Sequence, residues 1–135
     1  MRILGIGVDQ VEVTRIERLL ERRPEQAPIR LFTNRERATC DSRQQRAECY
    51  AARFAAKEAF VKALGCGLRE GMQWTDIEIR TEENGRPRIL LSGAAQRALR
   101  ARHGGAVHLS FTHEDGQAVA FVVIERAEGT PGAET

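Results

Sequence analysis

Apolar positions along the chain change period several times, and each change predicts an element. Ile3 to Val8 is a short apolar run, ILGIGV, which predicts a buried strand. Gly5 and Gly7 in it allow close backbone approach. In VTRIERLLERR, Ile16, Leu19 and Leu20 fall at helical spacing with arginines on the opposite face, the pattern of an amphipathic helix. Pro24 and Pro28 end it. Thr33 and Glu36 have capping-box spacing and predict a short helix. Ser42 and Gln45 repeat that spacing ahead of the longest periodic segment. This segment runs to Leu64, with Ala47, Tyr50, Ala51, Phe54, Val61 and Leu64 as its apolar stripe and Gly65 as its stop.

After a glycine-rich loop, Gly65 to Gly71, alternation of period two takes over. Trp74 to Thr81 predicts a strand with Ile77 and Ile79 inward. Asn84-Gly85 is a hairpin signal, and Pro87 to Leu91 is the returning strand. Ser92 predicts the cap of a helix that reaches Arg102 and stops at Gly104-Gly105. Val107 to Thr112 and Gln117 to Ile124 predict a second hairpin about Glu114-Asp115-Gly116. Residues 127–135 are polar and unpatterned, which predicts a disordered tail. Hairpins separated by helices define an α+β fold, with a mainly antiparallel sheet, one long helix and shorter helices. The patterned part, residues 1–126, is the size of a single domain.

Composition narrows the class. The chain is 41% hydrophobic and 30% charged, ordinary for a soluble domain, and its net charge of +2 does not argue for nucleic acid. The charge is unevenly spread. Arg15, Arg18, Arg22, Arg23, Arg30, Arg35, Arg37, Arg43 and Arg46 load the first third; the plain account of such a run is a solvated face. Three cysteines, Cys40, Cys49 and Cys66, form no C-x-x-C pair. That odd count argues against a disulfide framework and against a zinc site, and it suits a reducing compartment. The N-terminal apolar run is too short for a signal peptide or a membrane span, so a cytoplasmic protein is expected.

Candidate chemistry starts with the cations. Against nineteen arginines the chain has two lysines, Lys57 and Lys62, flanking Glu58. Glu58 and Lys62 are four apart and share a helix face. The plain alternative is an i,i+4 ion pair worth a few tenths of a kcal/mol. Lys57 has no partner on that face and is expected to be a phosphate-binding or helix-surface lysine. Asp9 follows the first strand, where an acid can cap the next helix. Two carboxylates and a lysine also meet the needs of phosphoryl chemistry: Mg²⁺ takes one or two carboxylates plus water and phosphate oxygens, and a lysine offsets phosphate charge. In VHLSFTH, alternation puts His108, Ser110 and Thr112 on one strand face; a solvated sheet face would look the same. No G-x-S-x-G elbow is present.

Four ordered blocks carry a resemblance: GIGVDQVEV, ARFAAKEAFVKALGCGL, NGRP and HLSFTHEDGQAVAFVV. With them the chain resembles the short bacterial 4'-phosphopantetheinyl transferases, the holo-[acyl-carrier-protein] synthases, over nearly all of residues 2–125. The resemblance implies Mg²⁺-dependent transfer of phosphopantetheine from coenzyme A to a serine of apo acyl carrier protein, with 3',5'-ADP released. It implies that Asp9 and Glu58 hold the metal and that Glu58 and Lys62 are catalytic, Lys62 against the phosphates. A carboxylate or a bound water would be the base. Arg53, Gly65, Gly85, Arg86 and Pro87 match positions around the nucleotide and its 3'-phosphate, and His108, Ser110 and Thr112 match the C-terminal strand at the site. The resemblance also implies a homotrimer with sites between subunits. Carrier proteins being acidic, Arg15, Arg18 and Arg22 would meet them. Three positions depart from the family pattern: Gln10 for a small aliphatic residue, Cys66 for a threonine, and Thr112 for a serine. The alternative is an Arg-rich, non-catalytic module for nucleic acid or an acidic protein. It leaves Asp9, Glu58 and the C-terminal block unexplained, and the basic third lacks the interleaved aromatics of a single-strand platform.

Overall fold

In chain order the elements of the computed structural model are β1 (Ile3–Glu12), α1 (Val13–Arg22), α2 (Gln26–Leu31), α3 (Asn34–Asp41), α4 (Arg46–Leu64), a 3-10 turn (Trp74–Asp76), β2 (Ile77–Thr81), β3 (Pro87–Leu91), α5 (Gly93–Ala101), β4 (Gly104–Glu114) and β5 (Gln117–Arg126). The structure describes residues 2–68 and 71–129. The disorder expected of the tail therefore falls, from Thr130 on, outside the described residues. The predicted α+β class holds, with two antiparallel sheets: a three-stranded one in the order β1-β5-β4 and the β2-β3 hairpin.

The long helix α4 is the axis of the core. It is buried nearly all round, fourteen of its nineteen residues being inaccessible. The predicted stripe was too narrow because alanines carry much of the packing: Ala52, Ala55, Ala56, Ala59 and Ala63 are buried. Small side chains there let β1 cross close to the helix. A Cβ built on Gly5 would lie 1.9 Å from the Ala63 carbonyl oxygen, and one on Gly7 1.9 Å from that of Ala59. Glycine is needed at both positions for contact, as the sequence suggested.

That crossing also corrects the expectation of a buried first strand. β1 continues past Asp9 to Glu12, and only the face carrying Gly7 and Val11 is buried. Ile6 and Val8 point the other way and are 56% and 53% exposed. The register Val8↔Phe121 and Phe121↔Ser110 puts these residues on one outer sheet face, where Phe121 is 45% exposed. The inner face of β5, with Ala118, Ala120, Val122 and Ile124, closes onto α4.

Local signals succeeded where they were self-contained. The Thr33–Glu36 capping box forms in full. The turn before β3 is closed by Glu82 N–H to Arg86 O at 2.8 Å, with Gly85 in the left-handed region at φ +84°. The second box fails: α4 starts at Arg46 behind Gln45, with no capping side chain, and Ser42 Oγ donates to Thr39 O, closing α3 instead. Ser92 precedes α5 without a capping bond from its side chain.

Two expectations about reactive side chains are overturned. Cys40 and Cys49 form a disulfide with Cα atoms 5.4 Å apart. The tight turn from α3 into α4 brings together two cysteines that an odd count left unpaired; Cys66 remains free and buried. Lys57 is not a surface lysine but fully buried. Its Nζ donates to Glu36 Oε1 at 2.7 Å, Leu31 O at 2.8 Å and Trp74 O at 3.0 Å. Glu36 in turn accepts from Thr33 N–H and Ile79 N–H. The ion pair thus joins α4 to α2, α3, the 3-10 turn and β2. Nothing in the sequence linked Lys57 to Glu36, 21 residues away.

Candidate functional site

The glycine crossing that seats β1 on α4 also builds the site. Two residues beyond Gly7, on the same strand face, Asp9 reaches the helix. Lys62 Nζ donates to Asp9 Oδ1 at 2.8 Å and to Val8 O at 3.2 Å. The Asp9 side chain is 14% exposed and that of Lys62 55%, so the pair sits at an open rim. Asp9 is a mid-strand residue on α4, not the cap of α1, which lacks a capping side chain.

Glu58, one turn before Lys62 on α4, completes the cluster. Its carboxyl is held above the ordinary carboxylate range, first by desolvation and then by the negative charge of Asp9; Lys62 and Arg15 act against the rise. The Lys62 ammonium is held above its usual value by the bond to Asp9 and that residue's charge. Two carboxylates therefore feel one another beside a single accessible ammonium. A further cation between them would relieve their repulsion. Hard oxygen donors of this number suit Mg²⁺, with water or substrate oxygens filling its remaining positions. Among the described residues no group of three or more His, Cys, Asp or Glu side chains gathers as a metal cluster.

The remaining candidates fall into three places. Arg15, Arg18 and Arg22 are exposed along α1, and Arg15 is near enough to Glu58 to oppose its pKa rise. Arg86, Pro87 and His108 line an open groove of about 720 Å³ with Arg88 and Arg100, between β3, α5 and β4. His108 Nε2 is 2.7 Å from Glu125 Oε2, and Ser110 and Thr112 continue its outer face of β4. Gly65 ends α4 at φ +82°, and Gly85 is the hairpin turn. Arg53 is 2% exposed behind that hairpin and donates to Thr81 Oγ1 at 3.1 Å. One chain thus brings Asp9, Glu58 and Lys62 together on the α4 side of the sheet. His108, Ser110 and Thr112 lie on the opposite side.

The class of protein is now defined. Residues 5–122 match the 4'-phosphopantetheinyl transferase superfamily, and the chain belongs to it. It is 47% identical to the holo-[acyl-carrier-protein] synthase of Trichlorobacter lovleyi over 91% of this chain and 98% of that one. It is 49% identical to that of Anaeromyxobacter dehalogenans over 93% and 98%. Among solved structures, the Neisseria meningitidis holo-[acyl-carrier-protein] synthase superposes with a TM-score of 0.85 at 34% identity, covering 92% of this chain and 99% of that one. The Bacillus anthracis enzyme, in complex with CoA (3',5'-ADP), superposes at 0.77 with 36% identity, covering 94% and 100%.

Proposed function

We propose that this protein transfers the 4'-phosphopantetheine group of coenzyme A to a serine of an apo acyl carrier protein, releasing 3',5'-ADP. The observation that carries the reading is the convergence of Asp9, Glu58 and Lys62 where β1 crosses α4, in a chain of this superfamily. Phosphoryl transfer asks a protein chiefly for positioning and charge stabilisation. The serine Oγ–phosphorus bond forms as the pyrophosphate bond to the departing 3',5'-ADP breaks, and the serine gives up its proton to a carboxylate or a bound water. Asp9 and Glu58 would hold Mg²⁺, which when bound supplies charge neutralisation on the pyrophosphate. Lys62, on a flexible stem and exposed, can exchange Asp9 for a phosphate oxygen. A compact ammonium suits that crowded place better than a guanidinium fork.

The coenzyme A contacts at Arg86, Pro87 and His108 fit the basic groove beside β3 and β4. Gly65, Gly85, Ser110 and Thr112 complete the assignment, and Arg53, buried behind the hairpin, supports it through Thr81. A homotrimer reconciles the two sides of the sheet: the apolar outer patch of Ile6, Val8 and Phe121 is the kind of surface a second copy covers. In such an assembly His108, Ser110 and Thr112 of one copy would face the Asp9, Glu58 and Lys62 of another. Arg15, Arg18 and Arg22 present a basic helix to the acidic carrier. No described helix is long and apolar enough to cross a membrane, in keeping with action in the cytoplasm. The non-catalytic binding module accounts for α1 but not for two carboxylates held together against their own repulsion.

The test is incubation with apo carrier protein, coenzyme A and Mg²⁺, followed by mass spectrometry of the carrier. The expected product carries one phosphopantetheine. Absence of that adduct across fatty-acid and secondary-metabolic carriers refutes the assignment.

A further inference from the structure

Arg53 is a buried guanidinium with no carboxylate at ion-pair distance among the described residues. Nη2 donates to Thr81 Oγ1 at 3.1 Å, Nη1 donates to Cys49 Sγ at 3.1 Å, and Nε has no partner. The sulfur it touches belongs to the Cys40–Cys49 disulfide, where it carries no charge. Reduction would turn Cys49 into a thiol beside a cation, a setting that favours the thiolate. A thiolate there would supply the counter-ion that Arg53 lacks. Arg53 therefore stabilises the dithiol over the disulfide and makes the bond easier to reduce.

The other end of Arg53 leads to the hairpin. Thr81 pairs with Pro87 in the β2–β3 ladder, at the root of the turn that carries Gly85 and Arg86. In the disulfide form the guanidinium rests on Thr81, the Cys49 carbonyl oxygen at 3.5 Å and a neutral sulfur. In the dithiol form it is drawn toward the charged sulfur, at the expense of Thr81. The cross-link spans only nine residues, and short loops gain the least entropic stabilisation from closure. Opening it leaves the α4 core in place. Disulfides that survive in reducing compartments are commonly transient and redox-sensing.

We propose that Cys40–Cys49 is a reversible dithiol–disulfide couple and that Arg53 is the positioning residue that transmits its state to the hairpin at the nucleotide end of the coenzyme A site. The second half rests on the transferase reading above. The reductant is a low-molecular-weight thiol. Two glutathione thiols attack in turn and the Cys40–Cys49 bond breaks; Cys40 keeps one of their protons, Cys49 stays a thiolate beside Arg53 with the second proton released to solvent, and glutathione disulfide leaves. Both sulfurs are buried, so exchange proceeds through opening of the exposed connection at residues 42–45 and is slow.

The test equilibrates the whole protein in glutathione redox buffers, traps thiols by alkylation and weighs the products. Arg53→Gln removes the charge but keeps a donor for Thr81; Arg53→Lys keeps the charge. Arg53→Gln should need at least about tenfold more reducing conditions for half-reduction, while Arg53→Lys stays near wild type. An unshifted Arg53→Gln overturns the poising role. In steady-state assays the KM for coenzyme A should differ at least threefold between oxidised and reduced protein with kcat unchanged. Cys40→Ser should match the reduced form in either buffer. Equal KM values overturn the link to the hairpin. Loss of carrier modification in both redox states overturns the transferase reading instead, since alkylation reports the couple without any turnover.

Discussion

Replacing Lys57 by Met should cost about 3–5 kcal/mol, the usual penalty for removing one partner of a buried ion pair. The structure says why the upper part of that range applies. Lys57 and Glu36 are both wholly inaccessible, and each ammonium proton has an acceptor: Glu36, Leu31 O and Trp74 O. Methionine fills the stem's volume but leaves the Glu36 carboxylate with only the Thr33 and Ile79 amides. It also leaves the half-buried Leu31 carbonyl without its ammonium donor, at about 1–3 kcal/mol, while Trp74 O keeps the Ile77 N–H. Against a typical domain stability of about 5–15 kcal/mol, the loss is large. Adding Glu36→Gln removes the stranded charge and should recover about 0.5–3 kcal/mol of coupling, while the Leu31 carbonyl stays without its ammonium donor. The assay is urea denaturation of wild type, both single variants and the double variant, with the m-value checked for constancy. A Lys57→Met penalty below about 1 kcal/mol, or a double variant no more stable than Lys57→Met, refutes the account of Lys57 as a paired structural cation.

Glu58→Gln should abolish transfer without unfolding the chain. Because the folded-state pKa of Glu58 is raised, ionising it costs folded-state stability once pH rises above the unfolded value. In metal-free buffer the melting temperature of Glu58→Gln relative to wild type should therefore climb from pH 4.5 toward neutrality, and a flat or falling difference contradicts the repulsion from Asp9 and the desolvation. Gly7→Ala would press a methyl against the Ala59 carbonyl, which is helix backbone and cannot yield. It should cost at least about 1–3 kcal/mol and lower transfer by displacing Asp9 from Lys62; wild-type melting and turnover would show that the crossing is not as tight as described. Reversing Arg15 and Arg18 to Glu should raise the KM for carrier, more strongly at low salt, and leave the KM for coenzyme A unchanged; equal effects on both substrates would indicate misfolding.

The local elements were legible because backbone hydrogen bonding sets their periods. The α3 capping box, the Asn84-Gly85 hairpin and the alternating face of β4 are each written within a few residues. So is the shared helix face of Glu58 and Lys62, which the 3.6-residue turn alone decides. The capping box at Ser42 misled because Ser42 had a nearer use in closing α3.

What only the tertiary structure decided is which faces meet. The two lysines make the case. They differ by five positions on one helix, yet Lys57 turns into the core onto Glu36 and Lys62 turns to an open rim onto Asp9, 53 residues away in sequence. Neither partner is visible in local pattern, because a helix period says that two side chains share a face but not what covers it. The covering is set by the approach of β1 at Gly5 and Gly7 and by the turn that folds α3 back onto α4. The first leaves Ile6 and Val8 on the outer sheet face and brings Asp9 to Glu58. The second joins Cys40 to Cys49. These are consequences of packing between distant segments, and the sequence records them only as small residues whose purpose appears once the chain is folded.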